Sequence, residues 1–257
     1  VNAPPSGISV PPTAPGMHEH AGSIRCPCPR VGQEMCISGC VQATREFSVN
    51  EMHFNYGQGS RPALAGWRGG KSLLAKRIIA RIPAHNCYVE PFCGAAWVLF
   101  KKTESRVEVI NDINKDVITL YRCMQWHLEE FVRYFKWVVV ARDEFDRLKK
   151  ADPDTLTDIQ RAARFYYLQQ SCFGGRIVNP SFGYGSTRSP KLNLLRIEEY
   201  ISAAHLRLAR VYIECLPYNE VIRRYDSPAT LFYIDPPYWG CEGYYGTGIF
   251  TREDFTN

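Results

Sequence analysis

Tyr233-Ile234-Asp235-Pro236-Pro237-Tyr238 is the stretch on which the reading of the fold turns. The residues running into it, Thr230-Leu231-Phe232-Tyr233-Ile234, are apolar and rich in β-formers, and read as a short buried strand. Asp235 stands at the carboxyl end of that strand, and two prolines then forbid further ladder pairing. A carboxylate, a backbone carbonyl that the next residue cannot use and an aromatic ring are presented together at a strand tip. In open α/β sheets, ligands bind outside the carboxyl ends of the strands. Two acceptors side by side suit a planar –NH₂ group, which has two donors. Tyr238 is placed to stack on the ring that carries such an amine. Taken alone, the tetrapeptide reads equally well as a rigid turn after a core strand.

The segments upstream weigh against the plain turn. Gly66-Trp67-Arg68-Gly69-Gly70-Lys71 is a glycine-rich turn opening a helix, whose Leu74, Ile78 and Ile82 recur every four residues. Cys87-Tyr88-Val89-Glu90 reads as a strand ended by Pro91, and Phe92-Cys93-Gly94-Ala95-Ala96 turns into a second helix, Ala96 to Lys102. Val107 to Ile110 is the next strand, ended by Asn111-Asp112, and a third helix runs from about Asn114 to Trp126. A glycine turn after one strand, with an acidic residue at the tip of the next strand about 20 residues on, is the pattern of a nucleoside-cofactor site. Gly94 lets a ligand approach the backbone, and Asp112 can accept hydrogen bonds from ribose hydroxyls. The turn has one glycine where nucleotide loops carry two or three, with Ala95 and Ala96 as small neighbours.

From about His127 to Ser227 the strand–helix alternation stops. Phe131 to Val140, Arg142 to Lys149, Thr157 to Gln170 and Leu194 to Arg207 read as helices, with Thr157 and Gln160 forming a capping box. Phe173 to Arg188 carries glycine, aromatic and arginine residues and reads as a hairpin or long loop. Arg210 to Glu214 returns to strand, Tyr238 to Gly248 is a glycine/tyrosine-rich loop, and Thr251 can cap a last helix.

The 257 residues, 45% of them hydrophobic, suffice for one large domain or a core with an inserted module. A net charge of +5 permits a nucleic-acid partner without requiring one. No apolar run approaches the roughly 20 residues that span a bilayer, and no signal peptide is evident. Cys87, Cys93, Cys123, Cys172, Cys215 and Cys241 are scattered through apolar segments, as buried free thiols of a reducing cytosol would be. That points to a cytoplasmic protein. Residues 1–60 read as a disordered tail. Cys26, Cys28, Cys36 and Cys40 cluster there, but their spacing is not that of a standard zinc finger.

Taken together, Gly66-Trp67-Arg68-Gly69-Gly70-Lys71, Val89-Glu90-Pro91-Phe92-Cys93-Gly94-Ala95-Ala96, Asn111-Asp112-Ile113-Asn114 and Asp235-Pro236-Pro237-Tyr238 stand in an order that resembles the Dam-type DNA adenine methylases, in the forms common in phages and prophages. The resemblance covers residue 61 to the end. It implies an α/β fold: a Rossmann-like, S-adenosylmethionine-dependent methyltransferase sheet with an inserted, mainly helical target-recognition region. The chain then divides into a tail (1–60), a donor-binding part (61–126), the insertion (127–227) and the catalytic strand and loop (228–257).

It also implies roles for single residues. Trp67, Lys71, Phe92, Gly94, Asp112 and Asp235 would line the S-adenosylmethionine site, Lys71 as partner of the donor's carboxylate and Asp112 holding the ribose. Asp235, Pro236, Pro237 and Tyr238 would take the target amine of an adenine flipped out of duplex DNA. Arg176, Asn179, Tyr184, Arg188 and Lys191 would contact the DNA. Transfer would be direct and in line, by a monomer, with no metal required, and a cognate restriction endonuclease could share the target sequence. Arg68 departs from the small residue that many relatives carry there. The family also has a helix and several strands beyond this point, so the rest of the sheet would be missing and transfer by residues 1–257 weak. The alternatives are an RNA base-amine methyltransferase and an inactive methylase fragment that only binds DNA or donor.

Overall fold

The computed structural model describes residues 62–64, 66–67, 69–187, 189–239, 250 and 253–255. The expectations for residues 1–60, Arg68, Arg188, Cys241, most of the Tyr238–Gly248 loop and the cap at Thr251 lie outside the described residues.

Four strands form one parallel sheet: β1 (Cys87–Glu90), β2 (Val107–Asn111), β3 (Val211–Glu214) and β4 (Thr230–Phe232). Their order is β3-β2-β1-β4. Cys87 pairs with Val107 on one side and Thr230 on the other, and Glu108 pairs with Val211. The expected α/β class and Rossmann-like sheet are therefore present. β1 and β2 lie inside the sheet and are buried on both faces, which suits their β-branched and aromatic residues. Their side chains alternate between two cores. Tyr88 and Ile110 join the large core, while Val89 and Val109 meet Val221 on the opposite face.

The helices are α1 (Ala75–Ile79), α2 (Trp97–Lys101), α3 (Lys115–Trp126), α4 (Leu128–Tyr134), α5 (Arg142–Lys150), α6 (Asp158–Ser171), α7 (Ile197–Leu208) and α8 (Tyr218–Tyr225). Asn114 caps α3 by accepting from the Asp116 N–H, and the capping box of Thr157 and Gln160 opens α6 as expected. α3 packs chiefly on α6 and α7 over the large core, and α8 supplies Val221 and Tyr225 to the small one.

Several elements differ from the sequence reading. The first helix shrinks to Ala75–Ile79 because only Ala75 of it is fully buried, and so short a helix depends on tertiary packing. Leu74, expected on the buried stripe, is 46% exposed. β4 was expected to be buried, but among the described residues it pairs only with β1 and is half-buried. The Tyr233 N–H still donates to the Val89 carbonyl at 2.8 Å, and Ile234 then turns outward. α4 ends at Tyr134, short of Val140. The segment from Phe173, read as a hairpin or long loop, is the loop: among the described residues one antiparallel bridge, Cys172 to Phe182, closes it. α8 had no expectation, because its eight residues follow Pro217 and contribute one fully buried side chain. The interval 127–227 is not set apart from the sheet: β3 lies within it, and α4 to α7 share the large core with β1, β2 and α3. Among the expected free thiols Cys93, Cys123 and Cys172 are buried, whereas Cys87 and Cys215 are half-buried.

A buried ionic cluster fixes α7 to β2. Arg207 holds both carboxylate oxygens of Glu108, at 2.5 and 2.9 Å, and donates to the Leu99 carbonyl at 2.8 Å. Lys102 and the Ser105 N–H complete the shell around Glu108. Removing one partner from such a cluster leaves a buried charge short of hydrogen bonds. Arg207→Met is therefore expected to lower stability by about 3 kcal/mol or more in urea unfolding. Arg196→Met, at an exposed helical pair with Glu199, should leave the urea midpoint unchanged.

Candidate active site

The chain runs from β1 outward to β2 and β3, then crosses back to place β4 on the other side of β1. The order reverses at β1, and a crevice opens beyond the carboxyl ends of β1 and β4, where open α/β sheets bind ligands. An open cleft of about 770 Å³, solvent included, lies there.

The turn after β1 forms one wall and is built by residues that follow β2. The Cys93 N–H donates to the Asn111 carbonyl at 2.8 Å. The Gly94 N–H donates to Asp112 Oδ2 at 3.0 Å, and the Asn114 N–H to Asp112 Oδ1 at 2.9 Å. The Tyr121 hydroxyl donates to the Gly94 carbonyl at 2.8 Å. The side chain of Asn111 donates to the Pro91 and Leu216 carbonyls and accepts from the Leu216 N–H, so one buried amide braces the carboxyl ends of three strands. Gly94 has φ of +45°, and a Cβ there would lie 2.7 Å from Trp67 Nε1. Glycine is required by the backbone and by the indole packed on it. Gly70 is constrained in return: a Cβ on it would lie 2.8 Å from Trp97 Nε1. Two tryptophans thus clasp the 66–71 turn to the 92–97 turn, each over the other's glycine.

The opposite wall is the tip after β4. Lys71 Nζ reaches across to it, 2.5 Å from Asp235 Oδ2 and 2.6 Å from the Tyr238 hydroxyl, and also donates to the Gly69 carbonyl at 3.0 Å. Burial works to lower the Lys71 pKa, but hydrogen bonds and charge from Asp235 and Tyr238 raise it, so the ammonium stays protonated.

Two further carboxylates face the cleft. Glu90, the last residue of β1, is 1% exposed and accepts at Oε1 from the Tyr88 hydroxyl at 2.8 Å and the Leu99 N–H at 2.9 Å. Burial pushes its pKa up to about 7 against those bonds. Burial likewise pushes Asp112 up to about 6, against its two backbone donors.

All six residues expected at the donor site line this cleft: Trp67, Lys71, Phe92, Gly94, Asp112 and Asp235. Pro237 lines it too, and Tyr238 is tied in through Lys71. Pro236 does not line it. The five expected DNA contacts lie elsewhere. Arg176, Asn179 and Lys191 are exposed, Tyr184 is 80% exposed, and none lines the cleft; Arg188 is outside the described residues. Their loop is docked on α5, where Arg142 lies 5.2 Å from both the Phe182 and Tyr184 rings and Phe145 meets Phe182 edge-on.

The family model for D12 class N6 adenine-specific DNA methyltransferases matches residues 67–256. The chain belongs to this family. A DNA adenine methylase of Serratia marcescens is 30% identical over 183 residues, covering 68% of this chain and 66% of that protein. The DNA adenine methylase of Escherichia coli K12 is 29% identical over 195 residues, covering 68% of the chain and 64% of that protein. The DNA N-6-adenine-methyltransferase of Escherichia phage P1 is 25% identical over 204 residues, covering 74% of the chain and 26% of that protein. The chain therefore spans a little under two thirds of the Serratia and E. coli proteins.

Within this D12-class chain, sequence reasoning missed Glu90, Asn111, Trp97 and Phe250. Glu90 and Asn111 end strands inside the quoted motifs, so their positions were available. Phe250 meets Phe92 at 5.6 Å through folding alone and carries no local signal.

Glu90 gives the site a pH signature. Its pKa in the folded chain, about 7, lies above the ordinary 4.5. The neutral acid therefore favours the fold: the stabilisation is full below about pH 4.5 and is lost as pH rises through about 7. Relative to Glu90→Gln, the wild-type chain is expected to lose about 3 kcal/mol across that window, read as urea-unfolding free energy against pH. Asp112 shifts in the same direction and remains in both proteins.

Proposed function

We propose that the protein transfers a methyl group from S-adenosylmethionine to the exocyclic amine of adenine in duplex DNA. The observation that supports this reading most is the meeting of the two halves of the site at one strand reversal. The Gly94 turn with Asp112 and the Asp235 tip, more than a hundred residues apart, face one cleft. The lining fits the donor. It carries three acidic side chains, Glu90, Asp112 and Asp235, and one cation, Lys71, for a molecule whose sulfonium and ammonium are both positive. Trp67 and Phe92 offer apolar faces, and Asp112 retains lone pairs for ribose hydroxyls.

When bound, S-adenosylmethionine supplies an electrophilic methyl group on a sulfonium. The chain's part is to hold the amine. Adenine's amino nitrogen is a poor nucleophile because its lone pair is delocalised into the ring. An N–H of that amine donating to Asp235 draws the nitrogen toward a tetrahedral geometry and frees the lone pair. As positive charge grows on the nitrogen, the Asp235 carboxylate stabilises it. Tyr238 stacks on the base, which must leave the duplex to reach the tip. Pro236 and Pro237 stiffen the loop that carries both groups.

The exposed loop of Arg176, Asn179 and Tyr184, with Arg142 beneath it and Lys191 beyond, is assigned to DNA contact, and the part of residues 127–227 outside the sheet to target recognition. The working unit is taken as a monomer in the cytoplasm, and a companion restriction endonuclease would meet it only through a shared DNA sequence. Tritiated methyl incorporation by the complete gene product tests the reading. Duplex DNA should be labelled and RNA should not, and Asp235→Ala should lower kcat about 100-fold or more. Labelling of RNA in preference to DNA would overturn it.

A further inference from the structure

Tyr233 stands two residues before Asp235, and both line the cleft. The Tyr233 N–H donates to the Val89 carbonyl at 2.8 Å, and one step beyond the Val89–Phe232 pair places Tyr233 beside Glu90 on the neighbouring strand. Leu231 and Tyr233 pack toward the large core and Phe232 toward the small one, so the phenol shares the sheet face of Tyr88. Tyr233 is half-buried there. Neighbouring tyrosine hydroxyls have partners. Tyr88 donates to Glu90 and Tyr121 to the Gly94 carbonyl, each at 2.8 Å, and Tyr238 accepts from Lys71 at 2.6 Å. Among the described residues the Tyr233 hydroxyl makes no hydrogen bond, although a buried tyrosine O–H usually finds a partner. Burial, with the Asp235 and Glu90 carboxylates, holds this phenol above its usual pKa. It is therefore a neutral O–H whose oxygen lone pairs are uncommitted.

On the methyl-transfer reading, Asp112 takes the donor's ribose and Lys71 its carboxylate. The sulfonium joins those two ends, and its methyl group must face the amine held at Asp235. Tyr233 belongs to the same strand tip as Asp235, on the side of Glu90. A sulfonium shares its positive charge with the hydrogens of its methyl group. An oxygen lone pair beside them is stabilising, weakly for each contact. The neutral thioether left after transfer has no such hydrogens.

We propose that Tyr233 is a catalytic residue whose hydroxyl oxygen accepts from the polarised C–H bonds of the donor's methyl group. It holds the methyl toward the amine at Asp235 and favours the charged donor over the demethylated product. This rests on the methyl-transfer reading above and adds a group at its reacting atoms.

Calorimetry on the complete gene product with S-adenosylmethionine, S-adenosylhomocysteine and sinefungin reads that preference. Sinefungin carries an amine on carbon where the donor carries its methylated sulfur. Tyr233→Phe should weaken the donor about fivefold and sinefungin at least as much. It should leave S-adenosylhomocysteine within about twofold. The single-turnover rate on duplex DNA at saturating donor should fall about tenfold. The urea midpoint should stay unchanged, since the hydroxyl holds no hydrogen bond in the fold. Equal weakening of all three ligands would overturn the proposal and assign the hydroxyl to the shape of the site. Unchanged affinities would overturn it whatever the rate, and so would an unchanged rate. Wild-type protein that labels no DNA would refute the functional reading itself. Wild-type labelling, with a Tyr233→Phe protein that keeps its preference for donor over product, refutes this inference alone.

Discussion

β4 pairs with β1 and not with β3, and the site follows from that pairing. Had the chain continued outward, two strands would lie between the Asp235 tip and the Gly94 turn. Because β4 returns to the inner side, the residues after Glu90 and those after Phe232 leave adjacent strands in the same direction. Parallel pairing makes both exits open on one edge, and the reversal leaves no helix between them. The cleft is a consequence of topology before any single side chain acts.

Three sets of interactions turn that crevice into a shaped site. Asn111 and Asp112 at the end of β2 tie down the turn after β1. The Trp67–Gly94 and Trp97–Gly70 contacts lock the 66–71 turn against that same turn. Lys71 then closes the third side by reaching Asp235 and Tyr238. Each set joins separate segments of the chain, the first and third through hydrogen bonds and charge and the second by packing an indole on a glycine. The far end of the sheet, where Glu108, Lys102 and Arg207 are buried together, is held by charge in the same way but faces no cleft.

The sheet and the cleft were legible in the chain because they rest on local signals. Strand runs ended by Pro91, Asn111 and Pro236, a glycine needing positive φ and an acidic tip all act within a few residues. The capping box at Thr157 is legible for the same reason. What was not legible depends on partners far along the chain. The periodicity of Leu74, Ile78 and Ile82 promised a longer helix, but no element covers Leu74. Residues 127–227 lack strand–helix alternation and so read as a separate module, yet their helices fill the core beneath β1 and β2. The roles of Asn111 and Glu90 arise from burial, which no short motif encodes. Lys71 lines the cleft, and its contacts with Asp235 and Tyr238, more than 160 residues downstream, carry no local signal.

An Asp-Pro-Pro-Tyr tip can in chemical terms hold the amine of adenine or of cytosine, since both are planar –NH₂ groups on a ring. The identity of the methylated nucleoside is therefore the most direct test. Duplex DNA methylated by the complete gene product can be digested to nucleosides and resolved by mass spectrometry. The account predicts N6-methyladenine as the modified base. N4-methylcytosine, a ring-carbon methyl, or no modified nucleoside at all would contradict it.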